Sequence, residues 1–299
     1  MKTAVDCLPC FMRQALQVVR ICTADEFVQH EVLKKVASLC EAMDMELTPP
    51  ENSIAVYGEI SRITGCDDPY ETVKKESNCQ AMDVLPAIRD ELAGGANGLA
   101  VAFRFSIAGN IIDYGAMHSF DIDSAFKKCR HADFALDHSE ALIERLNELS
   151  PGGRVLYLAD NSGEIAYDTL VVERLAGMGL NVTVAVKSAP IINDALEEDA
   201  RQCGLHRFAA IVANGTSCPG TPLDRCSGEF RRLWQEADCI ISKGQGNFET
   251  LSGREEEIFF LLTVKCTVVG THLAELAGLE PEALPGRGEM VLFQKEMSA

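Results

Sequence analysis

The sequence is short of basic residues and of long apolar runs. It has 27 lysine and arginine residues against 45 aspartate and glutamate residues among 299, a formal net charge of −18. A nucleic-acid partner is therefore not expected, because binding to phosphate backbones requires a basic surface. An anionic substrate is still compatible with this charge where a lysine, an arginine or a metal ion supplies a local cation.

No apolar run approaches the roughly 18 residues that a membrane-spanning helix needs. The first residues, MKTAVDCLPCFMRQ, do not have the pattern of a signal peptide, because Asp6 and Arg13 interrupt any apolar stretch. We therefore expect a cytoplasmic protein without a membrane partner. With 47% hydrophobic and 24% charged residues, the chain is long enough for a large core in one or two domains.

Twelve cysteines are many, but a disulfide framework is not expected without a secretion signal. Most lie singly in apolar segments, where free cysteine behaves as a small hydrophobic residue; these are Cys22, Cys40, Cys129, Cys203, Cys239 and Cys266. The C-x-x-C formed by Cys7 and Cys10 is different, because such pairs occur in zinc and redox sites. A second C-x-x-C is missing, so three interpretations stay open: structural thiols, part of a second metal or substrate site, and a redox pair.

The hydrophobic pattern changes along the chain and divides it near residue 97. Before that point, segments such as FMRQALQVVRIC (11–22) and HEVLKKVASLCEAM (30–43) carry apolar residues at helical spacing. This predicts a helical domain over residues 1–96 and a second domain over residues 97–299. A charged helix is predicted at 126–149.

After residue 150, short apolar runs alternate with helical segments. Four runs are VLYLA (155–159), VTVAVK (182–187), FAAIVA (208–213) and CIISK (239–243). A helix over 254–265 is expected to lead into a further strand, CTVVG (266–270), and MVLFQ (290–294) is predicted as an edge strand. Continuous apolar strands separated by helices are typical of an α/β fold with a mostly parallel sheet, covered by helices on both faces.

Polar residues gather at the carboxyl ends of four predicted strands, which is where ligands bind in open parallel sheets. These ends carry Asp160-Asn161-Ser162-Gly163-Glu164, Asn193-Asp194, Asn214-Gly215-Thr216 and Lys243-Gly244-Gln245. A helix cap explains one such end, because Asn, Asp and Ser are favoured caps. Four polar ends on the same edge of one sheet are better explained by a binding site.

The residue types at these ends indicate a particular chemistry. Asp160, Asn161 and Asp194 offer hard oxygen ligands, which suit Mg²⁺ or Mn²⁺ rather than a thiolate zinc site. Lys243, followed by Gly-Gln-Gly, offers a cation and accessible backbone N–H groups, which suit a phosphate. A divalent ion beside a phosphate-binding lysine is typical of phosphoryl transfer or hydrolysis.

Other motifs carry less weight. FDIDS (120–124) is similar to the nucleophile motif of haloacid-dehalogenase phosphatases but lacks the preceding buried strand, so Asp121 or Asp123 is expected to cap a helix. KGQGNFE is not a P-loop, and no G-x-G-x-x-G follows the first strand, so a nucleotide cofactor is not expected. No Ser-His-Asp arrangement stands out, and surface or core positions are expected for His118, His131, His138, His206 and His272.

Three longer motifs together, DNSGE (160–164), PIINDA (190–195) and SKGQGNFETL (242–251), resemble those of the damage-control phosphatases, which are metal-dependent enzymes. KKESN (74–78) and AGNIIDYG (108–115) also resemble that family, and CLPC resembles the C-x-x-C of its prokaryotic branch. The resemblance implies a helical N-terminal domain and a three-layer α/β/α domain with a mixed sheet.

The resemblance also implies a site and a reaction. A divalent ion (Mn²⁺, Co²⁺, Ni²⁺ or Mg²⁺) would be held by Asp160, Asn161 and Asp194, with phosphate contacts from Lys243 and its loop. The reaction would be hydrolysis of small phosphate esters, such as sugar phosphates or damaged phosphometabolites, by metal-assisted attack of water. Further contacts to substrate are predicted for Ser162, Glu164, Gly244, Asn110, Asp113 and Asn214.

Two other functions stay open from the sequence. The first is an S-adenosylmethionine-dependent methyltransferase, because an acidic residue after a strand can bind a ribose; Gly163 alone stands where a glycine-rich turn is expected. The second is a non-catalytic protein that binds a metal or a phosphometabolite, in which the CLPC pair would serve as a redox or metal input.

Overall fold

A computed structural model of the chain describes residues 1–93, 98–109 and 133–295. Its helices are α1 Cys7–Cys22, α2 Glu26–Glu41, α3 Pro49–Thr64, α4 Glu71–Ala93, α5 Gly98–Ala108, α6 Ser139–Glu148, α7 Glu164–Gly177, α8 Glu197–Gln202, α9 Gly228–Glu236, α10 Gln245–Leu251 and α11 Thr267–Leu276. Its strands are β1 Phe134–Asp137, β2 Arg154–Leu158, β3 Asn181–Val186, β4 Ala210–Ala213, β5 Cys239–Lys243, β6 Ile258–Val264 and β7 Glu289–Lys295. Several residues discussed above lie outside the described ranges: Asn110, Asp113, His118, Asp121, Asp123, Cys129 and His131.

Helices α1, α2 and α3 pack on each other around their own apolar cluster, which includes Phe11, Val36 and Ile60. The Pro pair at 49–50 does not end this helical region. It opens α3, because Thr48 and Glu51 form a reciprocal capping box and proline is well accepted in the first turn. The helical character predicted for the N-terminal part is confirmed, whereas the domain boundary at residue 96 stays a prediction.

The seven strands form one mixed sheet in the order β1-β7-β6-β5-β2-β3-β4. The pairings β2–β3, β2–β5, β3–β4 and β5–β6 are parallel, and β7 is antiparallel to β6. The predicted fold class is therefore confirmed. Because β2 to β6 point the same way, their carboxyl ends share one edge of the sheet.

The sheet lies between two helical layers. Side chains alternate along a strand, so Val155 and Tyr157 of β2 face one core and Leu156 and Leu158 face the other. The first core is shared with α4, α5, α6 and α7, and the second with α9, α10 and α11. This arrangement is the predicted three-layer α/β/α order.

Two neighbouring predictions near the end of the chain were wrong. The segment predicted as a helix at 254–265 contains β6, in which all seven residues are buried. Aromatic and β-branched residues that are buried on both faces are typical of a central parallel strand. The segment predicted as a strand at 266–270 belongs to α11, where packing of the helix against the sheet overrides the strand preference of Val268 and Val269.

Two further elements differ from expectation. MVLFQ is not at an edge, because β7 lies between β1 and β6 and pairs with both. The charged helix predicted at 126–149 is interrupted by β1, and its described helical part begins only at Ser139. Charge along the segment concealed a four-residue strand whose exposure alternates, FALD.

Candidate functional site

A cavity of about 1130 Å³ opens where the ends of β2, β3, β5 and β6 meet the helical N-terminal region. The sheet edge contributes lining side chains that include Asp160, Asn161, Asn193, Asp194, Gln245, Glu249 and Lys265. Helix α1 lines the opposite wall with Cys7, Cys10, Arg13, Gln14 and Gln17. Helix α1 therefore covers the sheet edge at which the sequence predicted a site.

The loops after β2 and β3 are tied together at this edge. The Ala195 N–H donates to the Asp160 carbonyl oxygen at 2.8 Å, and Asn161 and Asp194 form an isolated antiparallel bridge. Ile192 has a φ of +49°, a left-handed conformation that is strained for a β-branched side chain and that the surrounding structure must enforce. These contacts bring Asp160, Asn161 and Asp194 together, with only 7%, 9% and 3% of each residue exposed.

The site buries two carboxyl groups at a cost in solvation. Burial raises the pKa of Asp160 and holds that of Asp194 well above its usual range. Asp194 Oδ1 has no hydrogen-bond partner in the described part of the chain. Its neighbour, the buried Lys187 ammonium, lies 3.8 Å away and donates instead to the Gly220 carbonyl oxygen at 2.8 Å. A cation placed beside both carboxylates would relieve the cost of burying them.

A divalent metal ion fits this set of donors. Asn161 Nδ2 donates to Asp160 Oδ2 at 2.7 Å, which leaves the amide oxygen of Asn161 available to an ion. Two carboxylates and one amide give hard oxygen ligands, and Mg²⁺-like ions complete their shell with water. Within the described ranges, no group of three His, Cys, Asp or Glu side chains is placed to hold a metal. A metal ion held by Asp160 and Asp194 would therefore take the amide oxygen of Asn161 as its third protein ligand.

Gly244 packs its backbone directly against the Asp160 carboxylate. Its φ is +84°, and a Cβ atom at this position would lie 2.0 Å from Asp160 Cγ. Only glycine combines this backbone conformation with such a close approach. Gly244 therefore shapes the candidate metal site rather than contributing a side chain to it.

Lys243 lies in a buried network behind the cavity wall. Its ammonium donates to the carboxylates of Glu164 and Asp168, the latter at 2.9 Å. Its third hydrogen bond goes to the Ser106 carbonyl oxygen at 2.8 Å, and Tyr157 also donates to Asp168. Although burial opposes the charge, the two carboxylates raise the pKa of Lys243. All three N–H donors are occupied, so a phosphate would have to displace one acceptor to contact this lysine.

Glu164 connects that network to the candidate ligands. One oxygen accepts from Lys243, and the other is 3.4 Å from Asn161 Nδ2. Burial raises the pKa of Glu164 to about 7, against the effect of Lys243. Lys243 holds Glu164, and Glu164 in turn contacts the Asn161 amide from the side away from the cavity.

The other predicted contacts do not line the cavity in the described part of the chain. Ser162 Oγ is buried behind the wall and has no hydrogen-bond partner among the described residues. Asn214 is absent from the described lining and is used in its own loop, where Oδ1 accepts from the Thr216 N–H at 3.0 Å. Asn110 and Asp113 lie outside the described residues, so their predicted contacts stay predictions.

The C-x-x-C pair lies on the wall of the same cavity. Cys7 and Cys10 are free thiols at the start of α1, and Cys266 lines the cavity opposite them. Burial raises the pKa of all three thiols, which favours the protonated, less reactive form. The structural, metal-binding and redox interpretations of Cys7 and Cys10 stay open.

Lys265 is a site residue that the sequence interpretation missed. It follows β6 directly and lines the cavity with an exposed side chain. No carboxylate in the described part of the chain lies within ion-pair distance of its ammonium. The sequence feature that could have revealed Lys265 is the seven-residue apolar run IFFLLTV that precedes it. If that run is assigned as a strand, Lys265 falls at the same sheet edge as Asp160 and Lys243.

Asn78 is a second missed residue, although KKESN was noted as a motif. It comes from α4 and is fully buried. Its Oδ1 accepts from the Gly163 N–H at 2.6 Å, and its Nδ2 donates to Asp199 Oδ1 at 2.7 Å. Asn78 thus holds the turn after β2 in place. Partners so distant in sequence give no local signal.

The fold and the site define an α/β/α protein with a hard-oxygen site at the strand ends beneath a helical cover. No helix in the described ranges has the length and apolar character to span a membrane. The sequence profile described as "Damage-control phosphatase ARMT1-like domain" matches residues 3–278. The chain therefore belongs to the ARMT1-like damage-control phosphatase family, as its motifs predicted; the assignment to a C-x-x-C branch stays a prediction.

Relatives of similar length support the assignment. Damage-control phosphatase PH1575 from Pyrococcus horikoshii is 32% identical over 277 residues, covering 91% of this chain and 94% of that protein. A damage-control phosphatase from Archaeoglobus fulgidus is 31% identical over 283 residues, which cover 93% of this chain and 97% of that protein. The crystal structure of the P. horikoshii protein, described as a DUF89 family protein, superposes with a TM-score of 0.88 at 30% identity and covers 99% of this chain and 100% of that one.

Proposed function

We propose that this protein is a metal-dependent phosphatase that hydrolyses small phosphate esters. The observation that carries the proposal is the buried set of Asp160, Asn161 and Asp194 on the wall of a large cavity, in which Asp194 Oδ1 has no hydrogen-bond partner among the described residues. The names of the P. horikoshii and A. fulgidus relatives support the same reaction.

Asp160, Asn161 and Asp194 would hold the ion, which when bound polarises a phosphoryl oxygen and lowers the pKa of a bound water. Glu164 and Lys243 orient Asn161 through the buried network. The buried hydrogen-bonded network on the side away from the cavity would keep the ligands in place during turnover.

The cavity volume favours a small organic phosphate. About 1130 Å³ is slightly above the roughly 300–1,000 Å³ that small-molecule sites span, so a small organic phosphate fits with room for solvent. Gln14, Gln17 and Arg13 project from α1 into this space and offer hydrogen bonds suited to a polyol. Sugar phosphates and damaged phosphometabolites match this combination of one anionic end and one hydroxylated end.

We expect Lys265 to bind the substrate phosphate. Its ammonium has no ion-pair partner among the described residues and lines the cavity near Asp160, where its charge partly offsets the rise that burial causes in the pKa of that carboxyl. Lys265→Ala should raise KM for a sugar phosphate by about 10-fold or more, because a hydrogen bond to a charged group contributes about 1.5–3 kcal/mol. Steady-state kinetics of Lys265→Arg, which keeps the charge, provide the control. An unchanged KM in Lys265→Ala would exclude this contact.

Gly244→Ala should weaken metal binding by more than about 10-fold, the range seen when a partner that orients a ligand is lost. The added methyl group overlaps the Asp160 carboxylate, and the positive φ is strained for alanine. The readout is the thermal shift produced by Mn²⁺. Gly253→Ala is the matched control, since no atom lies within 4 Å of its Cβ position. Equal metal responses of both variants would contradict the proposed packing.

The test of the proposed function is a panel of phosphate esters crossed with Mn²⁺, Co²⁺, Ni²⁺ and Mg²⁺, with phosphate release as the readout. We expect turnover of sugar phosphates with at least one ion. Saturable binding without turnover on every ester would favour the non-catalytic alternative. Calorimetric binding of S-adenosylmethionine would favour the methyltransferase.

A further inference from the structure

Glu249 is a buried carboxyl group on the cavity wall that is not a candidate metal ligand. Glu249 lies on α10, one turn after Gln245, and is only 8% exposed. Gln245 Nε2 donates to Glu249 Oε1 at 2.9 Å. No hydrogen bond or ion pair within the described ranges involves Oε2. The carboxyl is thus fixed through one oxygen, and the other is left to a ligand in the cavity.

We propose that Glu249 is the general acid that protonates the leaving oxygen of the phosphate ester. The inference rests on the phosphatase function proposed above. It assigns a residue to the departure of the leaving group, which the metal site alone does not explain. An alkoxide is a poor leaving group, and a positioned acid typically contributes about 10²–10⁴-fold to such a step. Glu249 shares the cavity with the candidate metal site but is not among its ligands.

The other titratable groups of the cavity are less suited to this task. Asp160 and Asp194 are assigned to the metal. Asp6 is exposed to solvent and is not held in the buried wall of the cavity. Arg13 and Lys265 are basic side chains that suit the binding of an anion better than proton donation to a leaving group. Glu249 is the sequestered carboxyl that remains among the described lining residues.

The surroundings of Glu249 favour its protonated form. Burial raises its pKa to about 7, with a smaller upward contribution from Asp160, while Gln245 and the N-terminal ammonium of Met1 oppose the rise. The thiols of Cys7, Cys10 and Cys266 also face this carboxyl and are neutral because burial raises their pKa. A pKa near neutrality leaves a proton on part of the Glu249 population at the pH of the reaction, as efficient acid catalysis requires.

The proposed step balances in atoms and charge. The oxygen of water bonds to phosphorus, and the ester P–O bond breaks with its electron pair going to the ester oxygen. That oxygen takes the proton of Glu249 and leaves as an alcohol. The attacking water keeps one hydrogen on the phosphate product and releases the other to solvent, from which Glu249 is protonated again.

The test compares two leaving groups in Glu249→Gln, which keeps size and polarity. The nitrophenolate of 4-nitrophenyl phosphate departs without a proton, whereas the alkoxide of a sugar phosphate needs one. We expect kcat to fall about 100-fold more on the sugar phosphate than on the aryl ester, within the range of acid catalysis. In the wild type, kcat on the sugar phosphate should fall as the pH rises above about 7, since Glu249 loses its proton. This fall in kcat with rising pH should be missing for the aryl ester, and it should be missing for both esters in Glu249→Gln.

Asp6→Asn, which removes an exposed carboxyl from the same cavity, is the matched control and should affect both esters alike. Turnover of the aryl ester by Glu249→Gln also verifies that the variant is folded and binds metal. Equal losses on both esters, or no loss on either, would overturn the assignment of Glu249 while leaving the phosphatase function intact. A wild-type protein that hydrolyses neither ester with any ion would overturn both proposals.

Discussion

Asp194→Asn is expected to remove the stabilisation of the protein by divalent metal and to lower kcat by more than about 100-fold, beyond the loss seen for outer-sphere partners of a metal. In the metal-free protein, burial holds the pKa of Asp194 well above its usual range, which favours the neutral acid. Asparagine has nearly the same shape as that neutral acid. The metal-free variant should therefore unfold at nearly the wild-type temperature.

The wild type and Asp194→Asn should differ in how much a divalent ion stabilises them against unfolding. At a concentration 100 times its Kd, a bound ion adds about 2.7 kcal/mol to the unfolding free energy of the wild type. Asp194→Asn should gain little of this, as measured by thermal unfolding with and without Mn²⁺. Asp6→Asn should respond like the wild type. A full metal response in Asp194→Asn would rule out this residue as a ligand.

Lys243→Met is expected to lower the unfolding free energy by about 3–5 kcal/mol, the cost of leaving buried charges without their partner. The side chains of Lys243 and Asp168 are fully buried, and Glu164 is only 4% exposed. A lysine whose main task is to bind phosphate would show a different result, with affinity for substrate lost and stability kept. Urea unfolding of the metal-free protein separates the two cases.

Neutralising the partners tests the same explanation. Adding Glu164→Gln and Asp168→Asn to Lys243→Met should recover much of the lost stability, because the uncompensated carboxylates are then gone. Lys265→Met is the matched control, since that side chain is exposed and unpaired in the described part of the chain. A stable Lys243→Met protein that has lost only substrate affinity would instead support direct phosphate binding by Lys243.

The sheet edge could be predicted because its strands are local features. β2, β3 and β5 are continuous apolar runs, each followed at once by polar residues, so Asp160 and Lys243 were placed on one edge correctly. β6 was missed because three glutamates precede it and made the segment resemble an amphipathic helix. That error concealed Lys265, a cationic side chain that lines the cavity.

The roles within the site depend on contacts that sequence spacing does not encode. Lys243 reaches Ser106, which is 137 positions away, and Asp168, which is 75 positions away. Asn78 supports the turn at Gly163 across 85 positions. Only the packing of α4, α5 and α7 against the sheet turns a lysine expected to bind phosphate into the centre of a buried ion network.

The most direct test of the central claim is phosphate release by chelator-treated protein as a divalent ion is added back. We predict no turnover of a sugar phosphate after chelation, and saturable recovery with Mn²⁺, Co²⁺, Ni²⁺ or Mg²⁺ in the wild type but not in Asp194→Asn. Full turnover in the presence of chelator, or equal recovery in Asp194→Asn, would contradict a metal site formed by Asp160, Asn161 and Asp194.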